Sequence, residues 1–218
     1  MIDVRMFTVG PVQENCFIVR APGATSALIV DPGDEADRLL EAISSLGIET
    51  VEAILVTHTH FDHIGAVAPI ASATGAPVYC PELETQVLAN IMDYVPWPGF
   101  GPFESYDADH TVTGGDTLEL AGLTIDVLFT PGHSPGHVTY AIRGEDALLS
   151  GDVLFQGSVG RVDLPGGDWP TLLSSIESLV EGYGPETTVY PGHMGTTTLG
   201  HERATNPFLR ELVEHQNR

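Results

Sequence analysis

Three imidazoles and a carboxylate fall within six residues, His58-Thr59-His60-Phe61-Asp62-His63, directly behind a hydrophobic stretch. No other feature constrains the fold as much. Neutral imidazole and carboxylate are the ligands that suit zinc, iron and manganese. Donors so close along a chain converge only where a tight loop aims them inward. The preceding Val51–Thr57 predicts a buried strand, and the following Ile64–Ile70 the first turns of a helix. The loop therefore stands at the carboxyl end of a strand, where α/β proteins tend to place function. A solvated polar turn is the competing reading, but chance rarely builds a cluster this dense.

Three later points repeat the design. His133 follows Leu128-Phe129-Thr130-Pro131-Gly132, Asp152 follows Leu148-Leu149-Ser150-Gly151, and His193 follows Val189-Tyr190-Pro191-Gly192. Each comes after a hydrophobic strand by way of a glycine, which lets the backbone turn sharply and approach closely. Four strand ends thus deliver five histidines and two aspartates: His58, His60, His63, His133, His193, Asp62 and Asp152. That is enough for two divalent cations sharing one bridging ligand.

Between these points the chain alternates. Residues 2–9, 14–20 and 25–30 predict successive strands, stopped by Asp31-Pro32-Gly33, and Glu35–Leu46 predicts a helix. After the histidine loop come a helix to about Ala73, a short strand Pro77–Cys80 and a helix Pro81–Ile91. Residues 94–108 are a Pro/Gly loop carrying Tyr94, Trp97, Phe100 and Phe103, expected near the site or packed as a surface cluster. Strands resume at 117–121, 123–130, 137–142 and 146–150. Asp168–Glu181 predicts a helix, Thr188–Tyr190 a strand, and residues 199–218 a helical tail with a break near Asn206-Pro207. The order suggests two similar halves within one domain, residues 1–218, with packed sheets and outer helices.

Composition narrows the function. The formal charge is −22, with 8 basic residues, all of them arginine, against 30 acidic ones. Such a surface repels phosphate backbones, so nucleic acid and anionic membranes are not expected partners. Without lysine there is no Schiff-base chemistry. Cys16 and Cys80 lie in apolar segments and read as buried small hydrophobes rather than a disulfide framework. No run approaches the roughly 18 apolar residues of a membrane span. No leader pattern opens the sequence, so a cytoplasmic location is expected.

The ordered set His58-x-His60-x-Asp62-His63, His133, Asp152, His193 resembles that of the metallo-β-lactamase-fold hydrolases, and the resemblance covers essentially the whole chain. It implies an α+β fold, a four-layer αββα sandwich with the site at the edge between its sheets. It implies that His58, His60 and His133 hold one metal, that Asp62, His63 and His193 hold a second, and that Asp152 bridges them. Zinc is the first expectation, and iron or manganese accept the same ligands. Asp31 would steady a histidine ligand from behind or serve as a simple turn cap.

Three stretches resemble the short, single-domain glyoxalase-II-like hydrolases: Pro11-Val12-Gln13-Glu14-Asn15-Cys16, Thr130-Pro131-Gly132-His133-Ser134-Pro135-Gly136-His137, and Gly151-Asp152-Val153-Leu154-Phe155. That likeness implies hydrolysis of a 2-hydroxyacyl thioester by a hydroxide bridging the metals, with Asp62 and Asp152 as the carboxylates of the reaction. Two metals lower the pKa of a shared water toward about 7. A thiolate of parent pKa about 8.5 then leaves without a strong acid. The length leaves no room for the C-terminal extension with which full-length glyoxalase II binds glutathione. A family Lys falls on Arg161, a substrate anchor or an ion-pair partner of Asp163, and a family Tyr falls on Asp163. The carrier thiol is therefore open. His137, His110, His201 and His215 carry no ligand role by this resemblance. Alternatives on the same scaffold are an Fe(II) persulfide dioxygenase using His58, His133 and Asp152, or a lactonase or other ester hydrolase. A β-lactamase, a nuclease and a non-catalytic binding module are less favoured.

Overall fold

The computed structural model describes residues 2–209. The first sheet has the order β1-β2-β3-β4-β5-β6: β1 (Asp3–Val9), β2 (Glu14–Arg20), β3 (Ser26–Val30), β4 (Thr50–Leu55), β5 (Val78–Pro81) and β6 (His110–Val112). β1, β2 and β3 pair antiparallel, and β3 to β6 run parallel. The parallel pairs need crossovers. α1 (Ala36–Ser45) joins β3 to β4. α2 (Phe61–Ile64) and α3 (Val67–Thr74) join β4 to β5, and α4 (Thr85–Leu88) and α5 (Ile91–Tyr94) follow β5.

The second sheet contains β7 (Thr117–Leu120), β8 (Leu123–Phe129), β9 (Val138–Ile142) and β10 (Ala147–Gly151). After a small ribbon of β11 (Leu154–Phe155) and β12 (Ser158–Val159), α6 (Trp169–Gly182) crosses to β13 (Thr188–Pro191), parallel to β10. β14 (Thr197–Thr198) and α7 (Leu199–Thr205) follow, and the sheet order is β14-β13-β10-β9-β8-β7.

The central strands are buried on both faces, and their period of two sorts residues between layers. Cys16 and Ile18 of β2, Ala27 and Ile29 of β3, and Ile54 of β4 pack outward on Leu39 and Ile43 of α1 and Val67 and Ile70 of α3. Their neighbours Phe17, Val19, Leu28, Val30, Ala53 and Leu55 face the second sheet, meeting Ile125, Val127, Tyr140 and Leu149. The far face of that sheet, with Ala141, Leu148 and Val189, carries Leu172, Ile176 and Leu179 of α6. Three cores between four layers make the expected αββα sandwich. Each fully buried Leu or Ile contributes about 1.5–3 kcal/mol. α6 starts where expected because Asp168 caps it, accepting from Thr171 N at 2.9 Å.

Several expected elements change. The helix over Pro81–Ile91 is broken into a 3-10 turn at Glu82–Glu84, α4 and then α5, because the Glu84 side chain is drawn inward to other loops. The helix after the histidine loop is likewise two pieces, α2 and α3. β4 stops at Leu55, since the Thr57 carbonyl accepts from Val138 N of the other sheet at 2.9 Å. β6 and β14 are short strands that periodicity does not reveal. Of the expected tail helix, α7 and a 3-10 turn at Pro207–Leu209 are formed, and residues 210–218 lie outside the described residues. Among the described residues no helix is long and apolar enough to cross a membrane.

Tyr140, fully buried on β9, donates its hydroxyl proton to the Val56 carbonyl at 2.8 Å, tying the second sheet to the strand that feeds the histidine loop. Tyr140→Phe leaves that carbonyl without this donor. It is expected to cost about 1–2 kcal/mol in urea unfolding, with unchanged far-ultraviolet circular dichroism.

Candidate metal centre

All four strand ends, three of them turned by a glycine, meet at one edge of the sandwich. Parallel pairing of β3 with β4 sets Asp31 beside Thr57, and parallel pairing of β10 with β13 sets Gly151 beside Pro191, so Asp152 and His193 emerge together. Antiparallel β8 and β9 close the loop that carries His133. The two sheets are stitched at this edge by Val138 N to Thr57 O and by Asn15 N to Gly192 O at 2.7 Å.

The hydrogen bonds behind the histidines fix which nitrogen each presents. Thr57 Oγ1 gives its one proton to Asp31 Oδ2 at 2.6 Å, so at its 3.1 Å contact with His58 Nδ1 the imidazole must donate. His133 Nδ1 donates to the Arg161 carbonyl at 2.7 Å, His63 Nδ1 to Asp31 Oδ2 at 3.1 Å, and His193 Nδ1 to the Gln13 carbonyl at 3.2 Å. In the neutral form of all four rings Nε2 is therefore the nitrogen that keeps its lone pair.

Those lone pairs converge. His58 Nε2, His60 Nδ1 and His133 Nε2 form a triangle with sides of 3.1, 2.8 and 3.2 Å. His58 Nε2 and His133 Nε2 are both acceptors, so at most one proton, on His60 Nδ1, lies among the three nitrogens, and it can bridge only two of them. A divalent cation satisfies all three: at zinc–nitrogen distances of about 2.0–2.1 Å, tetrahedral ligands lie about 3.3 Å apart. Asp62, His63 and His193 make a second group able to hold a cation, with His193 Nε2 3.3 Å from Asp62 Oδ2. Asp152 stands between the groups. Its Oδ1 is 3.4 Å from His63 Nε2, and its Oδ2 is 3.4 Å from His133 Nε2 and 3.6 Å from His193 Nε2. His63 Nε2 and Asp152 Oδ1 are buried and have no hydrogen-bond partner, as expected of ligand atoms. Asp31, His58 and His63 also cluster, but there Asp31 and Thr57 already engage the Nδ1 atoms.

The electrostatics agree. Burial and the neighbouring His63 and His133 imidazoles keep His58 well below the usual histidine range, and burial with His133 brings His60 down to about 4. Both stay neutral and available to a cation. For Asp152 burial opposes ionisation, but His63, His133 and His193 outweigh it and hold the carboxyl below the usual carboxylate range. Burial also opposes charge on His63, yet the Asp152, Asp31 and Asp62 carboxylates push its pKa well up.

The other candidates fall out differently. Asp31 does sit behind a histidine: besides His63 it accepts from Thr57 N at 2.7 Å. Arg161 forms an ion pair with Asp163, lines the cavity over the centre, and holds His133 through its backbone carbonyl. His137 is buried and packed, with both nitrogens used: Nε2 accepts from Asp152 N at 3.0 Å, and Nδ1 faces Thr130 Oγ1 at 3.0 Å. It positions the backbone of Asp152, a role its sequence position does not reveal. His110 and His201 are exposed, and His215 lies outside the described residues.

Three supporting residues carry no chemical assignment in the sequence reading. Asn15 gives both amide hydrogens to the His193 loop, at Pro191 O (3.0 Å) and Met194 O (2.8 Å). Glu14, wholly buried, lies 3.7 Å from His63 Nδ1 with neither oxygen hydrogen-bonded. Glu84 ties the two histidine loops together. Its Oε2 accepts from Thr59 Oγ1 at 2.5 Å and Thr59 N at 3.3 Å, and its Oε1 from Ser134 Oγ at 2.7 Å and Gly136 N at 2.8 Å. Asn15 and Glu14 open β2 directly after the turn at residues 10–13, and the resemblance of Pro11–Cys16 to the glyoxalase-II-like hydrolases was the sequence signal that pointed to this stretch.

Above the centre opens a cavity of about 700 Å³. Leu83, Val87, Val95, Trp97, Leu164 and Pro165 form its apolar walls. The aromatic loop anchors Trp97 by packing Phe100 and Phe103 against Phe61 of α2.

The comparisons with known proteins agree with this geometry. The family model described as the metallo-beta-lactamase superfamily matches residues 9–193. The chain is 39% identical over 210 residues to a probable metallo-hydrolase, YqgX, of Bacillus subtilis (strain 168), covering 94% of this chain and 96% of the relative. It is 31% identical over 210 residues to the hydroxyacylglutathione hydrolase GloC of Haemophilus influenzae, covering 95% and 98%. Among solved structures, the BLEG-1 B3 metallo-beta-lactamase superposes with a TM-score of 0.89 at 38% identity, covering 96% of this chain and 100% of the other. TTHA1623 in a di-iron-bound form gives 0.84 at 41% identity, covering 94% and 100%.

Proposed function

The chain belongs to the metallo-beta-lactamase superfamily as a metallo-hydrolase, and we propose that the bond it cleaves is the C–S bond of a 2-hydroxyacyl thioester. In this reading His58, His60 and His133 hold one divalent cation, Asp62, His63 and His193 hold a second, and Asp152 is shared. Zinc fits the nitrogen-rich donors, and the di-iron form of TTHA1623 makes iron an equal candidate. Such cations supply an activated water and polarise the acyl carbonyl.

The chain's own groups do the rest. Asp62 and Asp152 present carboxylate oxygens to the attacking water and orient it. Asp31, Thr57, the Arg161 carbonyl and the Gln13 carbonyl keep the imidazoles turned to the centre. The apolar walls exclude bulk water from the substrate. The water oxygen bonds to the acyl carbon, the C–S bond breaks, and the products are the 2-hydroxy acid and the thiol.

The observation that carries the thioester reading is Glu84. Outside the proposed ligands it is the buried carboxyl group in the cavity wall, and both its oxygens are occupied as hydrogen-bond acceptors. It has no proton placed for a leaving group. A thiolate of parent pKa about 8.5 leaves unaided, whereas an amine expelled from an amide needs protonation. The name of the Haemophilus relative supports the same reaction class. The test is steady-state hydrolysis of 2-hydroxyacyl thioesters beside a chromogenic β-lactam and a lactone. The thioesters are expected to exceed both in kcat/KM by about a hundredfold or more, about 2.7 kcal/mol in transition-state stabilisation. Preferred turnover of the β-lactam or the lactone would refute the reading.

A further inference from the structure

We infer that the cavity selects thioesters whose thiol carries no net negative charge, an inference that rests on the thioester reading above. The acyl group of a 2-hydroxyacyl thioester is small, so the thiol fills most of the space over the centre. The walls offer that thiol carbon surface from Leu83, Val87, Val95, Trp97, Leu164 and Pro165. Among the described residues Arg161 is the only arginine in the lining, and the chain has no lysine.

Its guanidinium is already spoken for. Nε donates to Asp163 Oδ1 at 2.6 Å and Nη2 to Asp163 Oδ2 at 2.8 Å, a two-pronged grip that occupies one edge of the planar group. Its carbon atom sits 5.6 Å from the centroid of Trp97, so the aromatic ring covers it as well. The Arg161–Asp163 pair carries no net charge, so a carboxylate on the thiol gains little by approaching the guanidinium's remaining edge. Asp93 adds negative charge to the lining, and the whole chain carries −22. An anionic thiol meets repulsion on approach and, away from the metal centre, only an arginine already neutralised by Asp163. An uncharged thiol meets carbon walls, and a cationic one is in addition drawn by the acidic surface and Asp93.

The experiment compares 2-hydroxyacyl esters of N-acetylcysteamine (uncharged), thiocholine (cationic), 3-mercaptopropionate and glutathione (both anionic). Each kcat/KM is divided by that ester's rate with free hydroxide, so that leaving-group reactivity cancels. At low ionic strength the uncharged and cationic esters are expected to exceed both anionic ones by about tenfold or more. The gap narrows at about 1 M salt, where the Debye length falls to about 3 Å. D163N, which releases Arg161, is expected to raise the anionic-to-uncharged ratio about fivefold. Glutathione or 3-mercaptopropionate esters turned over as well as the uncharged ester would overturn the inference and leave thioester hydrolysis standing. A ratio unmoved in D163N would overturn the role given to the Arg161–Asp163 pair. Hydrolysis of none of the four, with turnover of a lactone or β-lactam, would instead refute the reading on which the inference rests.

Discussion

Asp152→Ala is expected to lower kcat/KM by about a thousandfold or more, at least about 4 kcal/mol of transition-state stabilisation. The size follows from position. Asp152 places carboxylate oxygens within 3.6 Å of imidazole nitrogens from both candidate groups, those of His63, His133 and His193. Its removal takes a ligand from both sites at once, together with a negative charge that offsets the charge of two cations. The fold should survive. The backbone amide of Asp152 is held by His137, and Oδ1 makes no hydrogen bond that the metal-free protein would lose. Metal-free Asp152→Ala should nevertheless unfold at a lower temperature than the metal-free wild type, because buried His63 loses the carboxylate that pushes its pKa up. Asp152→Asn keeps the shape and loses the charge, and should sit close to Asp152→Ala in activity. Parallel kinetics and thermal unfolding of the metal-free forms check both halves. Near wild-type turnover in either variant would refute the assignment.

Gly192→Ala reaches the same centre without deleting a donor. A Cβ at residue 192 would collide with Asp152 Oδ1 and stand 2.6 Å from His63 Cε1. The backbone there is not in the left-handed region, so alanine meets no conformational objection, and the damage is confined to the two side chains behind it. Displacing a ligand from its position weakens metal binding by about a hundredfold or more, the upper end of what is seen even for supporting groups. The second cation, which shares His63 and Asp152, should be lost first. Gly182→Ala is the control, because a Cβ there meets nothing within 4 Å. Metal content after gel filtration should fall from two per chain toward one or none in Gly192→Ala and stay at two in Gly182→Ala, with circular dichroism unchanged in both. Two tightly held metals in Gly192→Ala would contradict the arrangement of ligands.

The donors were legible in the sequence because each is announced locally. A hydrophobic strand precedes it and, for His133, Asp152 and His193, a glycine turns the chain. The sandwich was legible because β2, β3 and β4 read as continuous apolar runs, and strands buried on both faces need layers on both sides. What stayed hidden depends on contacts between distant parts of the chain. Glu84 looks like one acid among many, and only the folded chain brings it to Ser134 and Gly136. Asn15 reads as a turn residue, yet its partners lie more than 170 positions away. His137 reads as a spare histidine, and its use becomes visible only when β8, β9 and β10 are placed side by side. Arg161 was singled out for its side-chain charge, whereas its carbonyl is what orients His133. Three-residue β6 and two-residue β14 are too short to show any periodicity.

In the proposed reading five histidines and two aspartates gather two divalent cations, and turnover depends on them. Metal analysis joined to thioester hydrolysis on one sample, before chelation, after exhaustive chelation and after adding back zinc or iron, tests it most directly. The expected result is two metals per chain at the start, activity falling with metal content to background, and recovery only as the second equivalent is restored. Undiminished turnover in protein stripped of metal would contradict it.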